Sequence, residues 1–268
     1  MIDFLGIARE RVYSPGKVDD DRAILDAVAA HLAATHRVQV ISADAALPAT
    51  APAAVVFAMC QGPAALDALR RWEADGVRVI NAVAGIANAH RRRMLAAFAR
   101  HGVPHPQSAI LATDDGAGLP AWVDDGAWLK RGDVHATDAD DVARVADRGA
   151  ARAGLAAFAQ RSIATACVQR HVDGEVIKFY AVRGRGFFAC FGADGAASQL
   201  DRTAEGALQD LAEAGAAALQ LEVFGGDCVR DRDNRLWLID LNDWPSYGPC
   251  RFEASEAIAS YVRQASKP

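Results

Sequence analysis

Two carboxylates and an amide near the C-terminus are spaced for metal chemistry. They lie in the run GGDCVRDRDNRLWLIDLNDWPSY, which begins at Gly225. In a strand over residues 236–242, alternate side chains share a face, so Leu236, Leu238, Asp240 and Asn242 point one way and Trp237, Ile239 and Leu241 the other. A turn centred on Asp233-Asn234, whether of two residues or four, sets Asp227 directly opposite Asp240, with their Cβ atoms about 5 Å apart. Carboxylates held that close repel, which calls for a cation between them. Two carboxylates and an amide oxygen are hard ligands that suit Mg²⁺ or Mn²⁺ better than zinc. The alternative is structural: Asp227 caps the strand entry, Asp240 is solvated, and Asn242 opens the turn before Pro245.

Several cations could face the same site. Lys178 shares a strand face with Val176 and Tyr180, and Lys130 is flanked by Trp128 and Leu129. Each is a cation among apolar neighbours; the alternative for Lys178 is a charged guard on an edge strand. Arg9, Arg11, Ser14 and Lys17 follow the first strand, where ligand clefts of parallel sheets open. They are candidates for binding an anionic substrate, together with Ser246, Arg202 and Arg251; Arg251 is also a catalytic candidate beside Lys178. A solvated basic loop is the alternative for Arg9 to Lys17. The run His90-Arg91-Arg92-Arg93 reads equally as a solvated helix face. His171 and His135 have bland alternatives as partly exposed histidines.

These side chains need a scaffold. Apolar runs at residues 2–7, 38–41, 54–59 and 77–80, with helical spacing at 21–34 and 63–75, predict a β-α-β-β-α-β order and a parallel sheet. A helix is expected over 88–101, ended by Gly102, then a strand at 108–111 and a loop at 113–126. Beyond that the spacing predicts a strand at 128–130, a helix at 138–148 and a strand at 167–172. Asp173-Gly174 is a two-residue hairpin signal leading into strands at 175–182 and 187–191. A helix at 205–219, the hairpin over 227–242 and a helix at 253–263 complete the chain. The fold class is α/β, becoming α+β in the C-terminal part, with the change near residue 120.

Composition narrows the function. The 268 residues are 51% apolar and 24% charged with a net charge of −5, ordinary for a globular protein and without the basic footprint that nucleic acid or anionic membrane requires. Cys60, Cys167, Cys190, Cys228 and Cys250 are scattered, with no C-x-x-C spacing, which suits a reducing compartment. The N-terminus is apolar too briefly for a signal peptide or a membrane span. A cytoplasmic enzyme is expected. A dinucleotide-binding oxidoreductase is disfavoured, because no G-x-G-x-x-G follows the first strand.

The late hairpin resembles the ATP-grasp superfamily, in which metal-binding carboxylates and an asparagine precede a loop containing Pro and Gly. Asp227, Asp240 and Asn242 match those positions, and Trp244-Pro245-Ser246-Tyr247-Gly248 matches the loop, spelled most like the inositol polyphosphate kinase branch. The resemblance implies ATP and Mg²⁺ as cofactors. It implies Arg91 and Lys130 at ATP phosphates, Gln169-Arg170-His171-Val172 as the hinge meeting the adenine edge, and Lys178 near the γ-phosphate. It further implies an N-terminal parallel, Rossmann-like domain (1–82), a connecting segment (83–125), a small ATP-binding lobe (126–185) and a C-terminal lobe with the metal (186–268). The glycine-rich phosphate loop is shortened to Gly132-Asp133-Val134-His135. Three functions remain open at this point: a carboxylate–amine ligase acting through an acyl phosphate, a small-molecule kinase, and a non-catalytic nucleotide-binding protein. The partner is a small anionic acceptor, and a homodimer is allowed for.

Overall fold

The computed structural model describes residues 2–132, 138–184 and 186–266. Strands β1 (Phe4–Ala8), β2 (Val38–Ser42), β3 (Val55–Ala58) and β4 (Arg78–Ile80) form a parallel sheet in the order β2-β1-β3-β4. Helices α1 (Val18–Ala33) and α2 (Pro63–Ala74) cover its two faces, because successive strand residues point in opposite directions. Ile24, Leu25, Val28 and Leu32 of α1 pack with Phe4 and Phe57, while Leu66, Leu69 and Trp72 of α2 pack with Leu5, Ile7 and Val56.

Two antiparallel sheets follow, after α3 (Val83–Asn88) and α4 (Arg91–His101). The first comprises β5 (Ser108–Ala112), β6 (Ala127–Arg131), β7 (Val142–Val145) and β8 (Thr165–Arg170), in the order β5-β8-β6-β7, with α5 (Arg148–Gln160) packed on it. The second comprises β9 (Gly174–Val182), β10 (Phe187–Gly192), β11 (Val223–Asp231) and β12 (Leu236–Asp243), in the order β10-β9-β11-β12. Helix α6 (Arg202–Leu219) and Phe98 of α4 bury one face of this second sheet through Ile177, Phe179, Phe224 and Leu238. Helix α7 (Arg251–Ala265) lies beside α1 and covers one end of the other face through Val182, Val223 and Tyr247. No helix among the described residues is long and apolar enough to cross a membrane.

Three expectations are corrected. The helix expected over 138–148 is a 3-10 turn (Ala139–Asp141) followed by β7, and α5 starts only where that helix was to end. Two aspartates explain the shift: Asp138 accepts from the Asp140 amide and caps only the short turn, whereas Asp147 accepts from the Ala150 amide and caps α5. Secondly, Asp173-Gly174 is not a hairpin turn, since β8 pairs with β5 and β6 while β9 pairs with β10 and β11. The change of sheet therefore falls at residues 171–173, ahead of the boundary expected at 185–186. Glycine is required at 174 for a different reason, because a Cβ there would collide with the Arg230 carbonyl on β11.

The third correction concerns the late hairpin. The Asp231 amide donates to the Arg235 carbonyl at 2.9 Å, so the loop holds three residues, with Asn234 at φ 61°. That loop alone would slip the register by one residue. A bulge at Ile239 restores it, so that Asp227 does stand opposite Asp240. The bulge also breaks the alternation: Leu238 and Leu241 are both fully buried under α6, and Leu238 does not share the face of Asp240.

Gly226 lies within this register. A methyl group on it would be driven into the Asp240 carbonyl oxygen and to 2.8 Å from the Phe179 ring. Gly226→Ala is expected to destabilise the protein by about 1–3 kcal/mol. Urea unfolding of the variant checks this, and an unchanged midpoint would mean that the hairpin is not packed as described.

Candidate active site

The two antiparallel sheets enclose a cavity of about 410 Å³, within the roughly 300–1,000 Å³ typical of pockets for nucleotide-sized ligands. Its floor is the free end of the second sheet. There the cross-strand register sets side chains in rows about 7 Å apart, two residues per step. The first row is apolar, Val176 beside Val229; the second is ionic, Lys178 beside Asp227 beside Asp240; the third is Tyr180, Gly225 and Asn242. Pro106, Trp128, Val142 and Val172 add to the apolar end, and Arg91, Lys130 and Gln169 to the ionic end.

The ionic row is bounded by a cation on each side. Lys178 Nζ lies 3.2 Å from Asp227 Oδ1, and Arg91 Nη2 lies 3.3 Å from Asp240 Oδ2. Arg91 is buried at the first position of α4 while Arg92 and Arg93 are exposed, so only one member of that basic run turns inward. Its Nε donates to the Arg131 carbonyl, which ties the two antiparallel sheets together, and its buried Nη1 has no hydrogen-bond partner among the described residues. Lys130 is buried on β6 and donates to Gln169 Oε1 at 2.8 Å. Burial, and then the nearby Arg91, push its ammonium below the ordinary lysine range. Asp227 is raised above the ordinary carboxylate range by burial and by Asp240, against the opposing pull of Lys178.

Charges lining the cavity are Arg91, Lys130, Arg170 and Lys178 against Asp227 and Asp240, an excess of cations. Such a surface suits a polyanion carrying its own divalent counter-ion. Among the described residues no three His, Cys, Asp or Glu side chains cluster to hold an ion. Two carboxylates are nevertheless what Mg²⁺ requires where phosphate oxygens and water complete its shell. The oxygen-only pair, the elevation of Asp227 by burial and by Asp240, and the unpartnered Nη1 of Arg91 all fit a Mg²⁺–phosphate group.

Residues 169–172 line the same cavity where the chain passes from β8 to β9. The Arg170 and His171 amides donate to the Gln107 and Gly126 carbonyls, whereas Val172 makes no backbone hydrogen bond to a described residue. Trp128 Nε1 donates to His171 Nδ1, and His171 Nε2 meets Asp173, which fixes the imidazole beside the hinge. Asp133, Val134 and His135 of the shortened glycine loop lie outside the described residues.

Asn242 does not join Asp227 and Asp240 in lining that cavity. One row further along, it lines a second cavity of about 200 Å³ together with Arg9, Tyr13, Ser14, Lys17, Gln61 and Ser246. Arg9 and Ser14 differ from expectation, since both bind within the chain: Arg9 is spent on four internal acceptors and Ser14 Oγ donates to Asp21. Lys17 is exposed and pairs with Asp20 at 3.2 Å. Arg11 faces a separate, open cavity by β2 and α1. Arg251 pairs with Asp20 at 2.8 Å, and neither it nor Arg202, exposed at the start of α6, lines either of the two adjoining cavities.

Sequence reasoning missed the Glu10–Gln61–Asp243 chain behind the second cavity: Glu10 accepts from the Gln61 amide, and Gln61 Nε2 donates to Asp243. Glu10 and Gln61 stand just past the carboxyl ends of β1 and β3, which is the signal that could have found them. It also missed Asn81, whose side chain accepts from the Glu222 and Val223 amides and fixes the start of β11.

No protein-family profile matches the sequence, and no curated protein matches it. Solved structures do. D-alanyl-alanine synthetase A from Vibrio cholerae O1 biovar eltor superposes with a TM-score of 0.73 at 13% identity, covering 99% of each chain. A RimK domain ATP-grasp protein from Sphaerobacter thermophilus gives 0.71 at 17% identity, over 97% of this chain and 99% of the other. The ATP-grasp ligase PsnB, solved with a minimal precursor, Mg and ADP, gives 0.70 at 14% identity, over 99% and 98%. The likeness spans nearly the whole of each chain, and this chain, with its parallel sheet and two antiparallel sheets, therefore has the ATP-grasp fold.

Proposed function

We propose that this chain is a Mg-ATP-dependent ligase that activates a small carboxylate as an acyl phosphate and passes the acyl group to an amine. The observation that carries the reading is the row Lys178–Asp227–Asp240, set between an apolar hinge-side pocket and a second small cavity. The likeness to a D-alanyl-alanine synthetase and to an ATP-grasp ligase solved with Mg and ADP supports ligation over simple phosphorylation.

In this reading Trp128, Val176 and Val229 would hold the base, Val172 would meet its edge, and the ionic row would hold the phosphates. Asp227 and Asp240 would hold Mg²⁺, which when bound screens the phosphate oxygens from the incoming nucleophile. Lys130, Arg91 and Lys178 neutralise the same oxygens from the chain's side, and the walls of both sheets exclude water. A carboxylate oxygen of the acceptor attacks the γ-phosphorus, and the bond to the β,γ-bridging oxygen breaks with its electron pair leaving on ADP. An amine then attacks the acyl carbon, the C–O bond to phosphate breaks, and the amine nitrogen gives up a proton. No nucleophilic side chain is required. The acceptor site is the second cavity, whose volume admits a ligand of about amino-acid size. Its Asn242, Ser246 and Tyr13 side chains are neutral hydrogen-bonding groups, and Lys17 supplies a cation at its edge.

ADP release over a panel of carboxylates, with hydroxylamine present, tests the reaction class. Hydroxamate formation is expected; a stable phosphorylated product without hydroxamate would instead make the chain a kinase. Asp240→Asn should lower turnover by two or more orders of magnitude with the fold intact, and survival of activity would remove the metal assignment.

The elevated Asp227 carboxyl also fixes the sign of a stability effect. Its folded pKa lies above the unfolded value of 3.8, so between the two the folded state binds more protons and stability falls as pH rises. Asp227→Asn is therefore expected to raise Tm at pH 7 and to raise it less below pH 3.8, while turnover is lost. A lower Tm at pH 7 would show that the Lys178 pairing outweighs burial.

A further inference from the structure

Arg9 was expected to meet substrate, and its surroundings give it another task. The side chain is only 11% exposed, and its donors are committed in three directions. Nε donates to the Met59 carbonyl past the end of β3 at 3.0 Å, and Nη1 binds Asp21 of α1 at 2.9 Å. Nη2 reaches the Trp244 carbonyl at 2.8 Å and the Asp243 carbonyl at 3.3 Å, where β12 ends. One planar guanidinium thus joins the parallel sheet, its first helix and the strand that carries Asp240 and Asn242. A lysine, with a single nitrogen on a flexible stem, cannot reproduce that fork.

The acceptor of those bonds is itself unusual. Trp244 has φ 39° and Tyr247 φ 51°, left-handed conformations that non-glycine residues adopt only when their surroundings hold them. Tyr247 is held by its hydroxyl, which donates to the Ala181 and Phe224 carbonyls, and the Trp244 ring by its Nε1 bond to the Ile80 carbonyl. The backbone between Asp243 and Trp244 is gripped by Arg9. Asn242 precedes this point and Ser246 follows it, and both line the second cavity.

We infer that Arg9 is a positioning residue: from the wall of the acceptor cavity, with its guanidinium bonded within the chain, it holds the Asp243–Trp244 backbone in the strained turn that places Asn242 and Ser246 around that cavity. The inference rests on the proposed assignment of that cavity to the acceptor. Its strength should be that of charge-assisted hydrogen bonds, so their loss should read out as roughly tenfold or more.

The test compares the unaltered chain with Arg9→Lys and, in case that variant packs poorly, Arg9→Met with and without millimolar guanidinium. Four quantities are read: hydrogen exchange of the Asp243, Trp244, Ser246 and Tyr247 amides, Kd for Mg·AMPPNP by calorimetry, KM for ATP, and KM for the best carboxylate of the acceptor panel. Expected are exchange at those amides and acceptor KM that both rise roughly tenfold, with Kd for Mg·AMPPNP and KM for ATP within about twofold and partial rescue of Arg9→Met by guanidinium. An unchanged acceptor KM overturns the inference, and so does a parallel loss of nucleotide affinity, which would make Arg9 a general structural support. Failure of the unaltered chain to bind Mg·AMPPNP would instead overturn the ATP-dependent reading itself, and this inference with it. The two failures are thereby distinct.

Discussion

Two carboxylates on neighbouring strands, each facing the other, set the problem that the rest of the molecule is arranged around. Asp227 and Asp240 stand directly opposed in β11 and β12, and the resulting field, added to burial, lifts Asp227 above its ordinary range. Placed alone in a cleft walled by valine, isoleucine and tryptophan, such a pair would open the hairpin. Lys178 from β9 and Arg91 from α4 take one carboxylate each, so the two like charges at the centre of the row are flanked by a cation on either side, across three strands and a helix. Keeping that row aligned imposes the nearby oddities. The three-residue loop needs the bulge at Ile239, and the close approach of β11 to its neighbours needs glycine at 225 and 226. An isolated destabilising pair that persists in a fold points to a site that uses it.

Much of this arrangement was legible in the sequence, for reasons that differ from element to element. The parallel sheet was readable because its strands are short apolar runs, with two helices of clean 3.6-residue spacing among them, the second punctuated by Pro63 and Gly76. Asp227 opposite Asp240 was readable too, but partly by compensation: the loop is one residue shorter or longer than either turn considered, and the bulge cancels the slip. A bulge leaves little trace in an alternating pattern, so the burial of Leu238 with Leu241 could not be foreseen. The hairpin expected at Asp173-Gly174 failed for a related reason. Asp173-Gly174 has the chemistry of a hairpin turn, yet local chemistry does not say to which sheet the next strand belongs; that depends on β11 arriving from fifty residues further on to pair with β9. Arg91 was ambiguous because periodicity ranks three consecutive arginines equally, and only the packing of α4 selects the first.

The candidate substrate residues separate along similar lines. Sequence position correctly marks the loop after β1 as facing a cavity, since that follows from the polarity of a parallel sheet. What it cannot decide is whether a cation there is available or already consumed. Arg9 and Lys17 lie eight residues apart in the same basic loop, but Arg9 is satisfied within the fold and Lys17 is exposed. The difference comes from acceptors contributed by β3 and β12, one of them more than two hundred residues away. Long-range carbonyl acceptors carry no sequence signature at all.

A consequence follows for how the two halves of the molecule act together. One face of the second antiparallel sheet is divided lengthwise: its hinge end is roofed by the first antiparallel sheet, and its other end by α1, α7 and the edges of the parallel sheet. The ionic row lies at the seam. A ligand in the first cavity meets Asp227, Lys178 and Asp240 directly, whereas one in the second meets Asn242, one row beyond them, and neither cavity alone contains both a nucleotide-sized space and the small polar pocket. Chemistry passing a group from a ligand in one cavity to a ligand in the other is the class of reaction that such a seam can serve, because the reacting groups meet where the two roofs meet. Binding a nucleotide alone would require only the first cavity, and would leave the strained turn at Trp244 and Tyr247 without a use. That the turn is held by a buried arginine, a buried tyrosine hydroxyl and an indole N–H together argues that its position, and not merely its existence, matters to the site.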